Sequence, residues 1–130
     1  MKRVLLCYAA GAAGAFANTL LGHLLSQAGL LAALGTRVLV PFGPPSLYAR
    51  LVWGGLWGLL LVLPPLARMK PLKAGLLVSL APSAAQLFYF FPRAGAGLLG
   101  EGFGLATPLV VLALNAVWGV AAAHLAREGR

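Results

Sequence analysis

Three side-chain amides, Asn18, Gln86 and Asn115, stand in segments that are otherwise strongly apolar. An amide that trades water for hydrocarbon without a new hydrogen bond costs about 2–7 kcal/mol. Such groups therefore face one another, a small wet cavity or a polar solute. Thr19 and Ser83 lie close by in sequence and add hydroxyls to the set. The chemistry available to these five residues is hydrogen bonding, suited to lining a site or pore constriction for a neutral or weakly charged solute or an ion. Bond-breaking chemistry has no candidates. The chain has no Asp, its two acids, Glu101 and Glu128, are far apart, and no nucleophile stands beside a base. A phosphate loop is also lacking. No catalytic residue is expected, and no cofactor.

The other chemistry-bearing residues sort by position. His23 and His124 fall near opposite ends of their helices, and neither has a second ligand at metal spacing, so no metal site is expected. His23 is the one titratable group near the amides and could respond to pH. Glu101 sits in a stretch with glycine at 95, 97, 100, 102 and 104, close to Arg93. It is a candidate mouth residue, or a solvated or Arg-paired surface acid. Trp53 and Trp57 are candidates for gating, although tryptophans more often anchor helices at the interface. Cys7 reads as a small apolar helix residue.

Four apolar segments position these groups. Segment one runs over about 4–25, segment two over 47–63, segment three over 72–91 and segment four over 108–126. Each is close to the roughly 20 residues a bilayer core requires. Pro44, Pro45 and Pro64, Pro65 bracket the second, and Pro71 and Pro92 the third. Thr107 is placed as N-cap of the fourth, with Pro108 at its first helical position. Lys2-Arg3 and the apolar run after them have the outline of a signal peptide, but the run continues to Leu25, the length of a spanning helix. The connection 28–45 is apolar and broken, so it is placed at the interface or as an extension of helix one before the turn. The glycine-rich 93–106 is placed as an outer loop, which lies at the interface or dips in as a re-entrant loop.

Within each segment, residues at helical spacing form a small-residue face. Gly11 and Gly22 share one in segment one, with Ala15 and Asn18; Gly54 and Gly58 form a GxxxG in segment two; Gly119 lies beside Asn115 in segment four. Close helix packing in lipid uses such faces. Depth sharpens the picture. At about 1.5 Å per residue, Asn18 and Gln86 lie about 21 Å from the inner boundary. Asn115 lies about 10–12 Å from the outer one, which puts all three amides in one layer of a core about 30 Å thick. Pro82, one turn before Gln86, removes a donor to the Val78 carbonyl and resembles the helix breaks of transporter sites.

The whole chain supports the membrane class. Its 130 residues are 61% hydrophobic and 9% charged, with a mean hydropathy of +0.91. A soluble domain this small cannot hide that much apolar surface. The net charge of +8 would suggest nucleic acid in a soluble protein, but the bases sit at segment ends, where headgroups account for them. Nucleic acid is therefore not an expected partner, and the lipid bilayer is. Lys2, Arg3, Arg68, Lys70, Lys73, Arg127 and Arg130 fall on one side, and Arg37, Arg50 and Arg93 on the other. The positive-inside rule then puts both termini in the cytoplasm. The bias to Ala, Leu, Gly and Arg suggests a GC-rich bacterial genome, hence the inner membrane. The expected fold is all-α, a compact bundle of four transmembrane helices in a single domain. The expected function is transport or permeation through the amide layer, in a homo-oligomer. The alternative is a non-catalytic accessory subunit that docks another membrane protein through its small-residue faces.

Overall fold

The computed structural model describes residues 2–36, 43–95 and 97–128. The described residues are helical, with no strand. Helix α1 spans Lys2–Gln27, and a short α2 spans Leu30–Ala33. Helix α3 spans Ser46–Gly58 and tightens into a 3-10 turn over Leu59–Val62. Helix α4 spans Pro64–Arg68. Helix α5 spans Pro71–Ala85, widens into a π turn over Gln86–Phe90, and passes into α6, Phe91–Arg93. A 3-10 turn over Leu98–Phe103 precedes α7, Thr107–Glu128. Three helical stretches are long and apolar enough to cross a membrane: Lys2–Gln27, Pro71–Arg93 and Thr107–Arg127. Ser46–Val62 is apolar but shorter.

Two prolines act differently from expectation. Pro92 does not end the third segment, which continues to Arg93. The π turn explains this, because the Phe91 N–H bonds back five residues to the Gln86 carbonyl. The regular ladder is already interrupted there, so a missing proline donor costs less than in an unbroken helix. Pro108 is the second helical residue rather than the first. The Ala106 carbonyl accepts the first helical bond, from Val110, at 3.1 Å. Thr107 is therefore inside the helix and not its N-cap. Its buried hydroxyl lies 2.7 Å from that of Thr36, also buried.

The long helices pack in the order α3, α1, α7, α5, with α3 and α5 touching only locally. Backbone-to-backbone approach holds the first three seams. A Cβ on Gly11 would strike the Gly54 carbonyl, and one on Gly58 would lie 2.6 Å from the Cys7 carbonyl. Opposite this seam, a Cβ on Gly14 would lie 2.7 Å from the Trp118 carbonyl. Gly119 and Gly75 do the same for α7 and α5, where a Gly75 Cβ would meet the Val120 Cα at 2.6 Å. Gly22 is buried on α1. Between the seams lies a core of Cys7, Ala10, Ala15, Leu61, Ala74, Val78, Trp118 and Ala122.

The two chain ends meet at one end of the bundle. Arg3 donates to the carbonyls of Ala126 at 3.2 Å and Leu61 at 3.3 Å. Arg127 donates to Ala67 at 3.3 Å and also to Met69. At the opposite end, Leu31 of α2 packs on Val110 and Leu114 of α7. Arg37 and residues 38–42, part of the connection placed at the interface, lie outside the described residues, as does Arg130.

Candidate functional site

The amide layer forms from three helices. Asn18 of α1 donates its Nδ2 to the Leu114 carbonyl at 2.9 Å and to Asn115 Oδ1 at 3.4 Å. Asn115 of α7 donates its own Nδ2 to Ser83 Oγ at 3.0 Å, with Gln86 Oε1 at 3.5 Å. Ser83 in turn donates to the Ser79 carbonyl one turn back, at 2.8 Å. The result is one hydrogen-bonded chain that runs from α1 through α7 to α5. Links of this kind hold helices in register where water is scarce. Ser83 is 2% exposed.

Beside the layer, a cavity of about 360 Å³ opens between α1, α3, α5 and α7. Asn18, Thr19, Gln86 and Asn115 form one part of its wall. The polar face is thus in contact both with itself and with open space. Trp53, Trp57 and Trp118, the only three tryptophans of the chain, all line the same space. The buried Trp118 closes its inner side and is fixed there by a 2.9 Å bond from its Nε1 to the Gly11 carbonyl. Phe90 and Phe91 face it from the π turn and α6. Trp53 and Phe90 meet edge to face across the gap between α3 and α5, with ring centres 6.1 Å apart.

Pro82 and the π turn explain how α5 supplies this wall. Pro82, Gln86 and Phe90 are one α-helical face at four-residue spacing, and the widened turn adds Phe91 to the same cavity. Residue insertions of this kind are frequent at functional sites.

Two polar residues of α3 join the cavity that were not among the candidate site residues. Ser46 is its first residue, and Arg50 lies one turn further on. Arg50 is half-buried and has no hydrogen-bond or ion-pair partner among the described residues. The signal was present in the sequence. Ser46, Arg50, Trp53, Gly54 and Trp57 share one helical face, at spacings of three and four. Reading Arg50 only as a charge that sets orientation hid it.

The remaining candidates lie elsewhere. His23 is half-buried on α1 and does not line the cavity. Glu101 is exposed in the 3-10 turn and packs its Cγ against Gly97. No ion pair joins it to Arg93, whose guanidinium instead lies 5.3 Å from the Tyr89 ring centre. Among the described residues, no group of three His, Cys, Asp or Glu could hold a metal ion. Comparison of the chain with protein-family models, with curated proteins and with solved structures finds no match.

Proposed function

We propose that the chain crosses a bacterial inner membrane four times, with both termini in the cytoplasm, and that it is a small transport protein. Its solute enters the cavity that the amide layer lines. The carrying observation is that four helices converge on one cavity whose wall joins Asn18, Gln86 and Asn115 to aromatic side chains. Ser46–Val62 supplies the fourth crossing, with the bilayer thinned or the helix upright to match its length. Supporting the orientation, Lys2, Arg3, Arg68, Lys70, Lys73 and Arg127 all belong to the end where the termini meet. The cavity then lies toward the outer side. The Trp118 bond and the glycine seams close its cytoplasmic side, as expected of an outward-open resting form. Purified protein in liposomes should give saturable solute flux that Asn115→Ala lowers. Flux of the same size from empty liposomes, or unaltered by Asn18→Ala and Asn115→Ala together, would sink the reading. A cytoplasmic reporter must be active when fused to either terminus.

A second reading, an accessory subunit, has one observation of its own. A shallow apolar groove over Ala116, Val117, Val120 and Ala121 runs along the outward face of α7. Small side chains there would let another helix approach closely. Cross-linking from Val117→Cys in native membranes separates the readings. A single dominant heterologous adduct favours the accessory role, and a self-adduct or none favours transport.

A further inference from the structure

Arg50 places a permanent cation in a cavity that offers it no counter-ion. The chain's two acids are both elsewhere: Glu101 is exposed in the 3-10 turn, and Glu128 ends α7 at the opposite end of the bundle. Backbone polarity does not redress the imbalance. Arg50 lies in the second turn of α3, away from the C-terminal carbonyls of the helix that would favour a cation. A guanidinium left in that position matches a carboxylate or phosphate, which it grips through two parallel N–H···O bonds. Ser46, at the start of the same helix, and Gln86, across the cavity, bring neutral hydrogen-bonding groups to the same space.

The rest of the wall asks for something different. Ala15, Trp53, Trp57, Pro82, Phe90 and Phe91 are apolar. Trp53 and Phe90 remain 51% and 44% exposed, on the side where α3 and α5 do not pack along their length. That gap faces lipid if the helices span. A volume of about 360 Å³ is at the small end of the range for ligand pockets, about 300–1,000 Å³. It takes a headgroup or a small acid, not a whole diacyl lipid.

Building on the solute-binding reading, we propose that the ligand is an anionic amphiphile. Its carboxylate or phosphate meets Arg50, and its apolar part lies against Trp53, Trp57 and Phe90, entering between α3 and α5. An anionic lipid headgroup and a free fatty or aromatic acid both have this chemistry. Neutral polar solutes do not.

The tryptophans supply the assay, since all three line the cavity. Full-length protein in a neutral maltoside detergent is titrated with dioctanoyl phosphatidylglycerol, dioctanoyl phosphatidylcholine, octanoate and octanol, and its emission is followed. An anionic probe should give a saturable change at concentrations where its uncharged or zwitterionic counterpart gives none. Arg50→Gln should weaken that binding at least about tenfold, the usual scale for losing a charge-assisted bond. Arg50→Lys, which keeps the charge but not the two-pronged grip, should bind more weakly than the parent and more tightly than Arg50→Gln, which separates lost charge from a misfolded variant. Arg93→Gln, at a residue outside the cavity, should bind as the parent does. A response to phosphatidylglycerol alone assigns the anion to a lipid headgroup, and a response to octanoate alone assigns it to a free acid. Octanol binding as tightly as octanoate, with Arg50→Gln silent, overturns the anion proposal and leaves the cavity as a binding site. A flat response to every probe overturns both.

Discussion

Three arginines at the two ends of the bundle meet opposite fates. Arg3 and Arg127 reach across helix ends and donate to the carbonyls of Leu61, Ala67, Met69 and Ala126. The last carbonyls of a helix lack donors within it, and a cation there is also favoured by the macrodipole. Each of these residues therefore closes one end of the molecule. Arg50 is placed near the beginning of a helix, beside open space, and makes no hydrogen bond among the described residues. The same side chain is structural where carbonyls surround it and available where they do not. The helix seams show the same division. Near the termini, Cys7, Gly11 and Gly58 bring backbones into contact, whereas further along α3 the side chains of Trp53 and Arg50 hold the cavity open.

The largest expected effect falls on the closed end. Gly58→Leu puts a branched side chain where a Cβ alone would lie 2.6 Å from the Cys7 carbonyl and 2.8 Å from the Gly11 Cα. Backbone cannot yield as a side chain can, so the cost should exceed the usual overpacking range of about 1–3 kcal/mol. Cys7, 0% exposed, reports it directly. In the parent a thiol reagent should react only on unfolding, and in the variant Cys7 should label under native conditions. Gly43→Ala, with nothing within 4 Å of a Cβ, should leave labelling unchanged. Equal labelling of the two variants would mean that the α1–α3 seam is not closed by backbone contact.

Next in size is the amide chain. Asn115→Leu removes at once the bond to Ser83 and the acceptor for Asn18. Interhelical hydrogen bonds in membranes are individually worth about 0.6–2 kcal/mol, so thermal unfolding in detergent should fall by about 1–3 kcal/mol. Asn18→Leu should cost less. Asn18 gives its shorter bond to a backbone carbonyl, and that oxygen keeps a second acceptor site to satisfy within the helix. The reverse ranking would place the centre of the network on α1 rather than α7.

Much of this arrangement was legible in the chain. Apolar length marks the three helices that are long enough to cross a membrane, because lipid leaves the backbone few alternatives to helix. Counting rise per residue puts Asn18, Gln86 and Asn115 at one height, and the structure brings them together. Height is not direction around the axis, and that is where legibility ends. His23 is near the same layer by count yet turns away from the cavity, while Trp118 turns in and becomes its inner wall. The π turn over Gln86–Phe90 shifts the register of everything after it, so a face drawn at constant helical spacing misses Phe91. Contacts between distant loops, such as Thr36 with Thr107, have no periodic signature at all. Arg3 and Arg127 were read for their sign alone, and their carbonyl partners lie on other helices, beyond any local pattern.

The smallest effect tests the comparison most directly, because it predicts a difference in sign. Arg127→Gln takes away donors from two helix-end carbonyls and should lower stability by about 1 kcal/mol, the ordinary net value of such a bond. Arg3→Gln should do the same through Ala126 and Leu61. Arg50→Gln breaks no hydrogen bond among the described residues and relieves a cation held partly out of water. Its melting temperature should therefore match the parent or rise slightly when no anion is present. Anion should then raise the melting temperature of the parent, since a ligand that binds only the folded form stabilises it in proportion to its occupancy. The Arg50→Gln melting temperature should not move. A loss of stability in Arg50→Gln equal to that in Arg127→Gln would show that Arg50 is one more structural tie, and the distinction between the closed and open ends would not hold.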